Sequence, residues 1–493
     1  MTKLTHQGIG VVLDAIDNDY RTSDYYMFTS KYTEWPNGDV VPTAANTSVV
    51  FQQQARDEML MLKKIQDTGV RFMTRRIDWA ANTVYDEYDD VVDLESKDFY
   101  VFTSSREVYK CLDNGGGVAS TVMPSLTTNT SFTTADGYKW KYMYTVDEEI
   151  MDLHATSNTI PIELSSAVQD SAVPGAIESV RVVSSANAWP SHETVTVALA
   201  VSNTTFKVDT LQEVESDYYV NFAAYVTSGG GAGFLSRITN YVANGSGQFI
   251  TTETGNTLVG SGSTVLVSPR VVISGSGTGA TAYATVNGTG EIDKINVISV
   301  GSGYTWANAV VSCNSMHQST ATLRVVTSPP GGHGSDPKTE LYADTIQFTA
   351  KFSYLDGLLV PYRITGVAKD VLSVDGQPLG ESVTVAYNTA NVTILPGVSY
   401  PPTVGETIRG YTSGATATVI TSSNTNITFG DVTGTFSVGE TVLGTQSSSL
   451  VSLDAINTST VDRNSGTIVF IDKMNPVQRQ TNTSETVYVE IKL

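Results

Sequence analysis

The heptapeptide VGETIRG at Val404–Gly410 returns as VGETVLG at Val438–Gly444, a spacing of 34 residues. Each copy runs into a Ser/Thr-rich alternating segment, TATVITSS after the first and SSLVSLDA after the second. Two copies are too few for a solenoid, whose units need several neighbours to bury a continuous core. The duplication therefore predicts a small β-barrel or sandwich closed on itself. A second echo, GAIESVRVVSS at Gly175–Ser185 and GEIDKINVISV at Gly290–Val300, reads as a turn followed by an alternating strand and predicts a repeated β unit. The composition points the same way: 40% hydrophobic but only 16% charged, with 41 glycines, it favours many short strands joined by tight turns. At 493 residues the chain exceeds what one core usually supports, and two to four domains are expected.

The clearest helical pattern lies at Asn46–Gln66, where Ser48 or Thr47 can cap and Phe51, Ala55, Met59, Leu62 and Ile65 form one stripe. Arg56, Asp57, Lys63 and Lys64 would be its solvated face. Aromatic and β-branched runs follow at Phe99–Ser104, Val108–Leu112 and Tyr138–Val146. In the last, Tyr138, Trp140, Tyr142 and Tyr144 alternate with Lys139, Lys141 and Met143, predicting a half-buried strand. From about residue 175 to Pro330 the chain turns to Gly, Ser, Thr and Val, and Pro329-Pro330-Gly331-Gly332-His333-Gly334 reads as a linker. The expected fold is mainly β: a β-sandwich scaffold with a few helices, interrupted by two Gly/Ser/Thr-rich β modules. The scaffold takes 1–175, 336–395 and 457–493; the modules take 176–335 and 396–456, the second carrying the duplicated unit.

With 29 Lys and Arg against 50 Asp and Glu, the net charge of −21 repels nucleic-acid phosphates and anionic membrane surfaces, so neither is expected as a partner. No run of about 18 apolar residues occurs, and the amino terminus lacks a basic and apolar leader pattern, so assembly from a cytoplasm-like compartment is expected. Cys111 and Cys313 support neither a disulfide framework nor a four-ligand zinc site. P-loop, HExxH and CxxC patterns are absent, and Gly275–Ala280 is followed by a strand pattern rather than the helix a dinucleotide loop requires. His6, His154, His192, His317 and His333 are scattered. Asp86, Glu87, Asp89, Asp90 and Asp93, or Asp14, Asp17 and Asp19, could offer oxygens to calcium but lack the twelve-residue loop grammar. No acid sits among apolar neighbours that would raise its pKa for glycoside cleavage. No catalytic residue, cofactor or metal is expected, and the chain reads as a non-enzyme.

Several strings together carry a family resemblance. Arg75-Arg76-Ile77-Asp78-Trp79, with Ile77 inserted, resembles the Arg-Arg-Asp-Trp signature of the gene-product-eight family of baseplate wedge subunits from contractile-tailed bacteriophages. Val108-Tyr109-Lys110-Cys111-Leu112-Asp113 resembles its Val-Tyr-Arg-Cys-Leu-Asp strand, and DGYKWKYMYTV at Asp136–Val146 its Asp-Gly-Tyr-x-Trp-x-Tyr strand. ADTIQFTAKF at Ala343–Phe352, TIVFIDKMNPV at Thr467–Val477 and ETVYVEIKL at Glu485–Leu493 resemble later strands, although Asp472–Asn475 departs from the usual Glu-Asn-Arg. The resemblance covers about residues 1–175, 336–395 and 457–493. It implies a structural protein of the virion tail baseplate, assembled in the host cytoplasm, homodimeric and bound to other wedge subunits. Arg75, Arg76, Trp79, Tyr109, Tyr138, Trp140 and Tyr142 are the scaffold or interface candidates. The rival expectation is a receptor-binding tail fibre or adhesin contacting host glycan, with Tyr304 and Trp306 as stacking platforms.

Overall fold

The computed structural model describes residues 6–38, 40–43, 48–314, 319–398 and 400–492. The chain is mainly β, with several antiparallel sheets, two closed six-stranded barrels and a half-barrel. It divides into two compact units, one of residues 1–75, 147–162 and 343–493 and the other of residues 76–146 and 163–342. That division cuts inside the expected first scaffold segment, between Arg75 and Arg76.

In the first unit the strand Tyr25–Ser30 is central in a five-stranded sheet, between Met59–Lys64 and Tyr362–Lys369. Its side chains alternate between two cores: Tyr25 and Met27 join one, Tyr26 and Phe28 the other. A strand buried on both faces is continuously apolar, which explains the run YYMF. A four-stranded sheet orders Ser484–Lys492, Thr345–Ser353, Val70–Arg75 and Thr159–Pro161. Its Ile346, Phe348, Phe352, Val487 and Val489 share the core that holds Tyr25 and Met27.

The helix expected at Asn46–Gln66 is helical only in its first part and becomes a strand in its second. Asn46 and Thr47 lie outside the described residues; the helix runs Val49–Asp57, with Ser48 at its N-cap position but no side-chain cap bond. Glu58 ends it, and Met59–Lys64 crosses into the five-stranded sheet. Met59, Leu60, Met61 and Leu62 are all buried, on both sides of the sheet. A two-sided strand and the stripe of an amphipathic helix read alike over so few residues. Unforeseen in the sequence is the helix His6–Thr22, which lays Ile16 and Tyr20 against the first core.

The duplicated segment forms a closed barrel of six strands between Asn388 and Asn457. Its ladder obeys a pseudo-two-fold. Thr407 pairs with Thr418 and Thr441 with Ser452, each partner displaced by 34; Ile408 opposes Gly444 while Gly410 opposes Val442. The pairs Arg409/Leu443 and Ala390/Ile427 lie on the dyad. Even the bulge repeats, between Val419 and Thr421 in one half and between Asn391 and Val392 in the other.

The repeated glutamates hold the halves together. Glu406 accepts hydrogen bonds from the backbone N–H groups of Gln446 and Ser447, both at 2.9 Å, and from the Ser447 hydroxyl at 2.6 Å. Glu440 accepts in the same way from the Ser413 N–H at 3.1 Å and hydroxyl at 3.0 Å. Burial raises both carboxyl pKa values, but these donors outweigh it and leave them below the ordinary range. The glycines of the motif clear the space: a Cβ at Gly410 would stand 2.5 Å from Glu440 Oε2, and one at Gly444 2.7 Å from Glu406 Oε1.

In the second unit another six-stranded barrel spans Glu193–Ser268 around Val197, Phe206, Tyr219, Phe222, Tyr241 and Ile250. The echoed segments become the strands Ile177–Ser185 and Ile292–Ser302, whose matching Ile177 and Ile292 share one core. The strand Lys139–Thr145 lies between Glu107–Asp113 and Phe132–Thr133 in a four-stranded sheet. It is not half-buried as its alternation predicted. Both faces are covered, and Lys141 is buried with its ammonium on the Asn129 carbonyl at 2.5 Å. The expected linker is corrected too: Gly332, His333 and Gly334 are buried. Gly332 and Gly334 take φ of 97° and 90°, and a Cβ on Gly332 would collide with the Val173 backbone at 2.5 Å.

Candidate functional site

Trp79 and Asp136, from two of the strings singled out in the sequence, meet through one hydrogen-bonded tie. The Trp79 indole N–H donates to Ser120 Oγ at 3.2 Å, and the Ser120 hydroxyl donates to Asp136 Oδ2 at 3.1 Å. That oxygen also accepts the N–H groups of Thr121 and Val122, at 2.8 and 2.9 Å. Burial raises the Asp136 carboxyl, but Thr134, Val122, Thr121 and Ser120 outweigh it and hold the pKa at about 2. The Trp79 backbone N–H donates to Phe102 at 2.8 Å, which fixes the segment on the sheet edge. Behind the tie, Tyr138 stacks on Trp140 with centroids 5.3 Å apart, and Tyr85 meets both rings edge-on.

Tyr109, Tyr138, Trp140 and Tyr142 are all buried, so these four candidates are core residues of this chain rather than side chains open to a partner. Tyr109 and Tyr142 form a cross-strand pair 5.7 Å apart, and the Tyr109 hydroxyl donates to Glu107 at 2.9 Å. Trp79 is half-buried. Arg76 Nε lies 2.9 and 3.1 Å from the two Asp78 oxygens, with the guanidinium over the Phe102 ring. Arg75 closes its strand opposite Thr159 with its side chain exposed.

Next to this sheet lies a buried polar cluster that the sequence did not reveal. Lys110, completely buried in the strand Glu107–Asp113, donates to Glu340 at 2.8 Å and stands 4.0 Å above the Tyr88 ring. Glu340 also accepts the N–H groups of Gly334 and Asp336, at 2.8 and 3.2 Å. His333 packs edge-on to Tyr88; its Nδ1 has no hydrogen-bond partner among the described residues and lies 3.9 Å from Glu340. Burial, reinforced by the charges of Lys110, Lys141 and Lys139, pushes the imidazole well below its ordinary pKa. The Lys110 ammonium is lowered by burial against the pull of Glu340.

Most of the acidic residues considered for calcium are occupied by cations of the chain itself, while Asp93 accepts the Glu95 N–H at 3.1 Å. Arg181 and Arg324 oppose each other across paired strands, and Asp89 bridges them, accepting from both. Asp90 takes Arg324 at 2.8 Å, Glu87 takes Arg181 at 2.6 Å and Asp86 takes Lys97 at 3.4 Å. Asp17 pairs with Arg21 and Asp19 with Lys369 along the first helix. Among the described residues no group of three or more His, Cys, Asp or Glu is arranged to hold a metal. Glu87 corrects one expectation, because burial, outweighing Arg181, raises its carboxyl pKa. Burial likewise raises the Cys111 thiol well above its ordinary value, which keeps it un-ionised and unreactive.

Of the histidines, His154 is buried and bonded to the Thr68 carbonyl and Gln347, His192 accepts from the Val286 N–H, and His317 and the side chain of His6 lie outside the described residues. Tyr304 is 5% exposed and packs as core, whereas Trp306 is 60% exposed, so only one of the two expected stacking platforms is open. No described helix is long and apolar enough to cross a membrane. Comparison with protein-family profiles and with curated proteins yields no match for this chain.

Proposed function

We propose that the chain is a structural subunit of a phage tail baseplate wedge: a β-sandwich scaffold, acting as a homodimer, that holds neighbouring wedge subunits together. The observation that carries the reading is the fate of the strings resembling the wedge family. Thr345–Ser353 and Ser484–Lys492, strands from two of those strings that lie far apart in the chain, are neighbours in one sheet, and Val70–Arg75, which leads into the Arg75–Trp79 string, pairs along the other edge of Thr345–Ser353. The barrel at Asn388–Asn457 interrupts the chain between two of them without entering their ladder. This is how a scaffold carrying inserted modules is built. The work of such a subunit is mechanical: extended interfaces hold the wedge before contraction and repack when attachment triggers the sheath, with no covalent step.

Mass spectrometry of purified virions together with electron microscopy of the baseplate tests the proposal. The chain should map to the wedge, and its gene disruption should leave tails without baseplates. A position elsewhere in the particle, or normal baseplates in its absence, overturns the reading. The exposed Trp306 is the one observation favouring a glycan-binding adhesin; inhibition of host adsorption by the isolated protein, with baseplates intact without it, would decide for that reading.

A further inference from the structure

The strand Ser484–Lys492 lies at one edge of its four-stranded sheet, and among the described residues only Thr345–Ser353 pairs with it. That pairing runs without a register shift from Ser353/Ser484 to Thr345/Lys492, and one step beyond it the Tyr354 N–H donates to the Thr483 carbonyl at 3.0 Å. Antiparallel ladders alternate, so Glu485, Val487, Val489 and Ile491 direct their N–H and C=O groups toward Thr345–Ser353, while Thr486, Tyr488 and Glu490 direct theirs outward. No described backbone group takes up these outward groups. The other sheet edges of the first unit are blunted. The opposite edge of the same sheet is the three-residue Thr159–Pro161, ending in proline. The five-stranded sheet ends on the two-residue Thr384–Val385 and on Thr467–Val477, which is broken by two register shifts and Pro476 and covered where the Trp35 indole donates to the Met474 carbonyl at 3.4 Å. Short strands, bulges and proline are how sheets keep an edge from recruiting another chain. Ser484–Lys492 has none of the three.

The occupant this edge fits is a second copy of itself. A two-fold axis through Tyr488 sets every outward residue opposite an outward residue: Tyr488 faces its own symmetry mate, Thr486 faces Glu490 and Ser484 faces Lys492. Between them Val487 meets Val489, both already buried in the core of the first unit, so the apolar lining continues across the axis. Tyr488, 55% exposed, brings an aromatic pair to the axis itself. Charge does not oppose the pairing. No like charges face each other, and the charged side chains of the strand have counterparts within the chain: Glu485 lies 3.1 Å from Arg479, Lys492 3.0 Å from Asp344, and Glu490 accepts from the Gln347 amide at 3.0 Å.

We propose that two copies of this chain join by antiparallel pairing of Ser484–Lys492 about Tyr488, fusing their four-stranded sheets into one continuous sheet. The proposal rests on the homodimer of the wedge reading and names the surface that forms it. A strand of an unrelated partner could also add to an open edge, but only the self-pairing fixes a register in which Tyr488 meets Tyr488.

Analytical ultracentrifugation and cysteine crosslinking of the full chain are the test. The chain should sediment as a dimer, and Tyr488→Lys, which sets two ammonium groups on the axis, should raise the dimer dissociation constant about tenfold. In Tyr488→Cys the two thiols face each other at a Cα separation of about 5.5 Å, within the span of a disulfide, so mild oxidation should yield a covalent dimer. In Thr486→Cys they stand about 14 Å apart and should not link. Circular dichroism melting checks that the variants fold, and the unsubstituted chain, oxidised in parallel, controls for Cys111 and Cys313. A monomer at every concentration, a dissociation constant unchanged in Tyr488→Lys, or equal crosslinking at the two positions overturns the proposal. A dimer indifferent to Tyr488→Lys and uncrosslinked in Tyr488→Cys would place the contact on another surface, and the wedge assignment itself is decided separately, by where the chain maps in the virion.

Discussion

Lys110→Met removes the cation from the buried cluster while keeping most of its volume. Glu340 would retain the N–H groups of Gly334 and Asp336 but lose the ammonium at 2.8 Å, in a site where both side chains are shielded from water. Breaking a buried pair by removing one partner costs about 3–5 kcal/mol, because the remaining charge is stranded. The two surviving N–H donors place the expected loss near the lower end, about 3 kcal/mol. For a unit of this size 1 kcal/mol moves the melting temperature by about 2–4 °C, so the transition should fall by about 6–12 °C in scanning calorimetry. Glu340→Gln keeps an acceptor for the N–H groups and leaves Lys110 over the Tyr88 ring, so its loss should be smaller. The double variant Lys110→Met/Glu340→Gln carries no buried charge and should melt above Lys110→Met. A fall of less than about 2 °C in Lys110→Met, or additive losses in the double variant, would refute the assignment of Lys110 and Glu340 as a mutually dependent pair.

His333 provides a pH signature. Its folded pKa is depressed, so the unfolded chain takes up a proton near the ordinary value of 6.5 while the folded chain does not; stability is lost as pH falls below about 6.5, by up to ~1.4 kcal/mol per unit. Urea midpoints at pH 7, 6 and 5 should show that slope reduced in His333→Phe, and parallel slopes would contradict it. Asp136 acts lower down: its stabilisation is present above about pH 4 and disappears as pH falls toward about 2. Allowing for its partial exposure, Asp136→Asn should cost about 1 kcal/mol at pH 7 and little at pH 2, measured by the same unfolding curves. The pseudo-two-fold of the duplicated barrel predicts that Glu406→Gln and Glu440→Gln each cost about 1–2 kcal/mol. Losses differing by more than about 1 kcal/mol in melting experiments would argue that the two grips are not equivalent.

What the sequence disclosed was local and periodic. The VGET repeat announced a duplicated β module because its spacing, its glycines and its Ser/Thr-rich followers all lie within one short stretch. Whether it closed as a barrel or a sandwich stayed open, since closure depends on Asn388–Ile394, a strand that carries no copy of the motif. Lys141 and Lys139 marked a solvated face by charge, but Asn129 and Glu178 come over to cover them. Met59–Leu62 had an ambiguous period, and only the strand Tyr25–Ser30 beside it settles the matter. His333 looked exposed because Pro and Gly surround it; Lys110 and Glu340, 230 residues apart, bury it together. In the site, Trp79 and Asp136 were each legible as parts of family-like strings. The serine joining them was not, because Ser120 belongs to no motif and is recruited by the fold alone.

The reciprocal grip of Glu406 and Glu440 bears on how the barrel arose. Neither half contains the carboxylate that holds its own second turn: Ser413 waits on Glu440, and Ser447 waits on Glu406. A lone half would have its turn untied and its carboxylate left with the single N–H of Thr403 or Ser437, and two separate copies could satisfy each other in the arrangement now found within one chain. The barrel thus has the form of a dimer fused by gene duplication. It also carries the strand Asn388–Ile394 ahead of the first repeat, where a third strand of the second half would otherwise follow Asn457. That ordering returns the chain to the scaffold close to where it left, which lets such a module be gained or lost without disturbing its host.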